Sequence, residues 1–186
     1  TKIFNLEYKD RILSFYREGI CDIWQSVCDD LGFSSDFKDS LKWIYRLHTP
    51  SIELSKDIKD LLNFLKKNYV QICILSDGRS ISQRKKIEKL GLTDFPIFIS
   101  EEYNSEKPEL NRFFKIQEIW PQRKYIYIGD NPEKDFVCSK ELEWFSIGAD
   151  WFPDKIHKIS SSPKYPPNKW VKHPFEIIQI IKELKF

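Results

Sequence analysis

The stretch Lys124-Tyr-Ile-Tyr-Ile-Gly-Asp-Asn-Pro-Glu-Lys-Asp135 decides the fold. Lys124 to Ile128 reads as a short, nearly continuous apolar strand, the pattern of a strand buried on both faces of a parallel sheet. Gly129 ends it, and Pro132 suits the first turn of the helix that follows. Two carboxylates flank that turn. An acidic residue directly behind a buried strand is costly unless it serves a cation or hydrogen-bond donors. Asp130 and Asp135 therefore read as candidate ligands of one Mg²⁺, a hard cation that takes oxygen donors. The competing reading is that Asp130 or Asn131 only caps the helix.

Upstream and downstream the same alternation continues. Strands are expected at Tyr69–Leu75, Pro96–Ser100 and Trp144–Ile147, in addition to Lys124–Ile128. Helices are expected around Ile58–Leu65, at Ser80–Leu90, Pro108–Trp120, Pro132–Leu142 and Pro174–Leu184. A loop rich in Pro, Ser and Lys is expected over Pro153–Lys169. Alternation of this kind marks a parallel sheet wrapped by helices, whose ligands bind at the carboxyl ends of the strands. The N-terminal quarter is different. Apolar residues recur at helical spacing from Arg11 to Asp30, with Gly19 as a break, and again from Asp36 to Leu47. Thr49-Pro50 closes that segment, because a residue before proline avoids the helical region.

Composition narrows the class. The chain has 186 residues, enough for a core that needs no disulfide or metal. Thirty basic against 28 acidic side chains leave a charge of +2, which argues against a nucleic-acid binder. Aromatics at 15% imply a core built on large rings. No stretch approaches a membrane span or a signal peptide. The four cysteines, Cys21, Cys28, Cys73 and Cys138, show no zinc-ligand spacing and read as free thiols in a reducing, cytoplasmic setting. The absence of any methionine, including an initiator, is read as a trimmed start or a piece of a longer chain.

Two further strand ends carry polar groups. Ser76-Asp77-Gly78 follows the strand ending at Leu75, and a serine hydroxyl placed there can donate to a phosphoryl oxygen; the same triplet is also ordinary turn chemistry. Lys107-Pro108 brings a compact positive charge before the next helix. In order, a strand ending in Ser76, then Lys107-Pro108, then Gly129-Asp130-Asn-Pro-x-x-Asp135 resembles the haloacid dehalogenase superfamily of phosphohydrolases. The likeness covers roughly Gly19 to Phe186.

The resemblance implies a Rossmann-like three-layer α/β/α parallel sheet with a small α-helical cap insert. The core would comprise residues 1–9 and 50–186, and the insert residues 10–49. It also implies roles. Ser76, Asp77, Gly78 and Lys107 would hold the substrate phosphate, with Ser76 and Lys107 acting in catalysis, and Asp130 and Asp135 would serve Mg²⁺. The family's reaction needs an aspartate nucleophile and a second acid two residues on, at the end of the first strand. No such pair occurs in this sequence. In one register Ile3-Phe-Asn5-Leu-Glu7-Tyr-Lys9 replaces it, with Asn5 for the nucleophile, Glu7 for the acid and Lys9 for the following threonine. In the other register the first strand lies upstream of Thr1. The expected function is Mg²⁺-dependent hydrolysis of a small phosphomonoester, from a small phosphorylated metabolite. The alternative is a catalytically silent domain that binds a phosphorylated ligand or a protein partner.

Overall fold

The computed structural model describes residues 6–68, 70–152 and 164–184, with only the backbone described for residues 6–9. The chain divides into two compact units, Thr1–His48 and Thr49–Phe186.

The first unit is helical. Helix α1 spans Leu6–Arg17, α2 Ile23–Leu31 and α3 Lys38–Leu47, the last preceded by a 3-10 turn at Ser35–Phe37. Gly19 at φ 73° separates α1 from α2, and Gly32 in the left-handed region ends α2, positions where a side chain would be strained. Asp22 caps α2 by accepting from the Gln25 N–H. Phe15, Val27, Cys28 and Leu41 form its core.

In the register that keeps the first strand within this chain, Ile3–Lys9 stands at its end; the described part of that stretch, from Leu6 onward, belongs to helix α1. Glu7 and Lys9 therefore sit in a helix. Asn5 lies outside the described residues.

The second unit carries the alternation. Helix α4 (Lys56–Lys67) leads to strand β1 (Ile74–Ser76), α5 (Ser80–Lys89), β2 (Ile97–Ile99), the short α6 (Ser100–Tyr103) and α7 (Asn111–Ile119). Then come β3 (Ile126–Gly129), α8 (Asp135–Glu141), β4 (Phe145–Ala149), β5 (Lys169–Val171) and α9 (Pro174–Glu183). Every pairing among the described strands is parallel. The strands form two ladders, β1–β2 and β3–β4–β5, and no described strand lies between β1 and β3.

The strands are packed from both sides, as their apolar runs require. On one face Leu61 and Leu65 of α4 and Ile177, Ile180 and Ile181 of α9 cover Ile126, Ile147 and Val171. On the other, Phe113 and Ile116 of α7 with Phe136 and Cys138 of α8 cover Phe98, Tyr127 and Trp144. Neighbouring residues Ile126 and Tyr127 thus point into opposite layers, as period two demands. Both layers also take residues from the β1 side, Val70 and Ile72 in the first and Cys73 and Leu75 in the second. This is the expected Rossmann-like α/β arrangement.

Strand β5 was not expected: the loop was expected to run to Lys169, with no element between it and the helix from Pro174. It is held by long-range contacts: Asn168 Oδ1 accepts from the Ser146 N–H at 2.8 Å, and Trp170 lies so close to Gly148 that a β-carbon there would stand 2.2 Å from its ring. Strand β1 is shorter than expected, since Val70 and Ile72 pack into the core without joining the ladder.

All four cysteines are free, with Cys21 exposed, Cys73 half-buried and Cys28 and Cys138 buried. Burial pushes the thiols of Cys73 and Cys138 up to about 11. Because the thiolate is the reactive form, both stay protonated and slow at pH 8. Titration with Ellman's reagent at that pH should show one fast thiol per chain, Cys21, and three more only on unfolding. A second fast thiol would contradict this packing.

Candidate active site

The carboxyl ends of β1 and β3 meet around Lys107. The Lys107–Pro108 turn, whose peptide bond is cis, delivers this lysine just before α7. Its Nζ donates to Asp135 Oδ1 at 2.6 Å and to the Tyr127 hydroxyl at 3.2 Å, and it stands 3.9 Å from Asp77 Oδ2.

Asp135 is buried, with a side chain 3% exposed. Its Oδ1 accepts from Lys107 and from the Tyr127 hydroxyl at 3.1 Å, and its Oδ2 accepts the backbone N–H groups of Asp130 at 3.0 Å and Asn131 at 2.8 Å. Four donors use the acceptor capacity of the carboxylate. Gly129 is what lets it sit there, because a β-carbon at 129 would lie 2.4 Å from Oδ2. Burial, with the Asp135 charge beside it, pushes the Tyr127 phenol well above 10, so it remains a donor.

The expected sharing of one cation between Asp130 and Asp135 therefore gives way to a division of labour. Asp135 builds the turn and holds Lys107. Asp130 is exposed, and no described side chain pairs with its carboxylate. Among the described residues no three His, Cys, Asp or Glu side chains group as a metal site. Mg²⁺ is commonly held by one or two carboxylates together with phosphate and water oxygens. Asp130 fits that donor set as the one open carboxylate of this cluster.

On the β1 side, the Ser76 hydroxyl donates to Gln83 Oε1 at 2.9 Å. It is at the expected strand end, but a ligand oxygen would have to replace Gln83 as its acceptor. Gly78 sits at φ 124°, and its N–H donates to Ser100 Oγ at 2.9 Å, so its role is to turn the chain. Asp77 accepts from the Lys107 backbone N–H at 3.4 Å and from the Arg112 guanidinium.

The structure thus brings together Ser76, Asp77, Gly78, Lys107, Asp130 and Asp135 of the expected site. Sequence reasoning missed the roles of Gln83, Tyr127 and Arg112. Arg112 carried a usable signal, since it lies four residues before Ile116 on the buried face of α7, where a charge needs a partner. Gln83 gave none beyond its helix.

Comparison with known proteins places this geometry. Residues 8–149, more than half of the chain, match the family model of haloacid dehalogenase-like hydrolases. No curated protein matches. Among solved structures, a magnesium-bound YfnB from Bacillus subtilis, described as a HAD hydrolase, superposes with a TM-score of 0.65 at 19% identity, covering 92% of this chain and 78% of that one. A HAD phosphatase from Thermococcus onnurineus gives 0.60 at 16%, covering 91% and 89%. A 2-haloacid dehalogenase from Pseudomonas syringae gives 0.59 at 13%, covering 97% and 82%. At these identities the likeness is one of fold.

The four-donor arrangement has a measurable cost when broken. Asp135→Asn leaves Lys107 without its closest anion and should lower the unfolding free energy by about 3 kcal/mol. Lys107→Met in the same chain should return part of that loss, read by urea denaturation. A loss below about 1 kcal/mol would place Asp135 in the range of an exposed ion pair instead.

Proposed function

Because the chain belongs to the haloacid dehalogenase-like hydrolases, we propose that it is a Mg²⁺-dependent phosphohydrolase acting on a small phosphomonoester. The observation that carries the reading is Lys107 fixed on Asp135, with Ser76 at the end of β1 and the open carboxylate of Asp130 behind β3.

In this reading Lys107 supplies a positive charge to the phosphate, and its attachment to Asp135 and Tyr127 sets where that charge stands. Ser76 exchanges Gln83 for a phosphoryl oxygen and donates its hydroxyl proton there. Asp130 would hold Mg²⁺, which when bound offsets phosphate charge. Asp135 and Gly129 keep the turn after β3 in one shape, so the groups are arranged before the ligand arrives. The ligand is a small phosphorylated metabolite of the cytoplasm, not a nucleic acid or a membrane. Among the described residues no helix is long and apolar enough to cross a membrane.

A second reading is favoured by one observation. Glu7 lies in α1, and of the acids at the ends of β1 and β3, Asp77 and Asp135 are committed to Arg112 and Lys107. Asp130, the remaining acid there, is the metal ligand of the first reading, so none of these described acids is left over as the attacking carboxylate. A domain that binds a phosphorylated ligand without turning it over needs none.

Phosphate release from p-nitrophenyl phosphate separates the two. The first reading expects release that requires Mg²⁺ and falls at least a hundredfold in Asp130→Asn, in line with the loss of a metal ligand. Release unaffected by Asp130→Asn would overturn the site assignment. Phosphate binding without any release would favour the silent domain.

A further inference from the structure

Arg112 is the largest fully buried side chain of the molecule's described residues, and its charge is aimed at the site. It stands on α7 beside Phe113, with Ile116 one turn on, both in the core. Its Nη1 donates to the backbone carbonyls of Ser76 at 2.9 Å and Phe98 at 3.3 Å, which ties the ends of β1 and β2. Its Nη2 donates to Asp77 Oδ1. Nε finds no acceptor among the described residues. The guanidinium is therefore oriented by two carbonyls and one carboxylate.

Charges alternate along this line. Arg112 meets Asp77, Asp77 stands 3.9 Å from Lys107 Nζ, and Lys107 meets Asp135 at 2.6 Å. Two cations face two anions. Without Arg112 the other three side chains would sum to one negative charge, next to the serine expected to receive a phosphate. An arginine stays ionised even when buried, and buried charges are screened little by salt.

We propose that Arg112 is a positioning residue for anion binding: it offsets the carboxylate at position 77, so that Lys107 keeps its attraction for phosphate. The inference rests on the phosphate-binding reading above and deepens it. If Arg112 served only to tie β1 to β2, its replacement would change stability but not the dependence of anion affinity on residue 77.

The experiment is calorimetric titration of inorganic phosphate, with Mg²⁺ present, into the full chain and three variants, each checked for cooperative thermal unfolding. Arg112→Met should weaken phosphate binding about tenfold, the scale of one nearby unit charge. Asp77→Asn, which leaves Arg112 uncompensated, should bind phosphate more tightly than the wild type. Asp77→Asn combined with Arg112→Met should return the affinity to within about threefold of the wild type, because the charge sum is restored. An unchanged affinity in Arg112→Met, or a double variant as weak as Arg112→Met, overturns the proposal. Should Arg112→Met fail to fold, Asp77→Asn decides: tighter binding supports the proposal and weaker binding overturns it. A wild type that binds no phosphate overturns the phosphate reading itself and this inference with it, whereas phosphate binding that ignores residues 77 and 112 overturns only the latter.

Discussion

A buried carboxylate must find donors, and the way Asp135 finds them shapes the second unit. Two of its four hydrogen bonds come from the backbone behind β3 and two from Lys107 and Tyr127. The backbone pair fixes the turn at Asp130 and Asn131. The side-chain pair joins that turn to the Lys107–Pro108 segment before α7. One residue so determines where β3 stops, where α8 begins and where the lysine stands. Gly129 belongs to the same constraint, since the carboxylate occupies the space of its missing side chain.

A second buried charge plays the matching part at β1. Arg112 closes the ends of β1 and β2 from the core side, and Asp77 lies between it and Lys107. The ladders β1–β2 and β3–β4–β5 share no hydrogen-bonded strand pair among the described residues. They are connected by the two apolar layers and by this line of charges. Such buried pairs add little net stability compared with apolar packing, but breaking one partner is costly, so they act as constraints on geometry.

Much of this was legible in the sequence. The continuous apolar runs gave β2, β3 and β4 and the helices between them, because a strand buried on both faces needs apolar residues at every position. Gly19 and Pro50 marked real breaks. What stayed hidden depends on contacts distant in sequence. Lys169–Val171 is three residues long with no period of its own, and becomes a strand only through Asn168 on Ser146 and Trp170 on Gly148. Val70 and Ile72 read as strand because they are apolar, but apolar character reports packing against the core and not ladder hydrogen bonds. The helix expected from Pro132 starts at Asp135, since the preceding turn is bent to feed that carboxylate. At the candidate site, Ser76, Lys107 and Asp130 stand at the strand ends and the turn where their order along the chain put them. The different use of the two acids was not, because spacing cannot tell a carboxylate that is saturated from one that is open. The Ile3–Lys9 stretch was harder to read, since a short apolar run suits a strand or a helix start equally; its described part, from Leu6, is helix α1.

The bond between Ser76 and Gln83 has a consequence for how any anion would be held. A hydroxyl that already has an acceptor gains little when it trades one oxygen for another, since one hydrogen bond is lost for each one made. Its contribution lies in direction, by favouring a ligand oxygen at one place. The strength of attachment then falls to charge, and attachment through charge carries an ionic-strength signature. A ligand held this way would loosen as salt rises, by an amount set by how far the lysine and its neighbours are shielded from the solution.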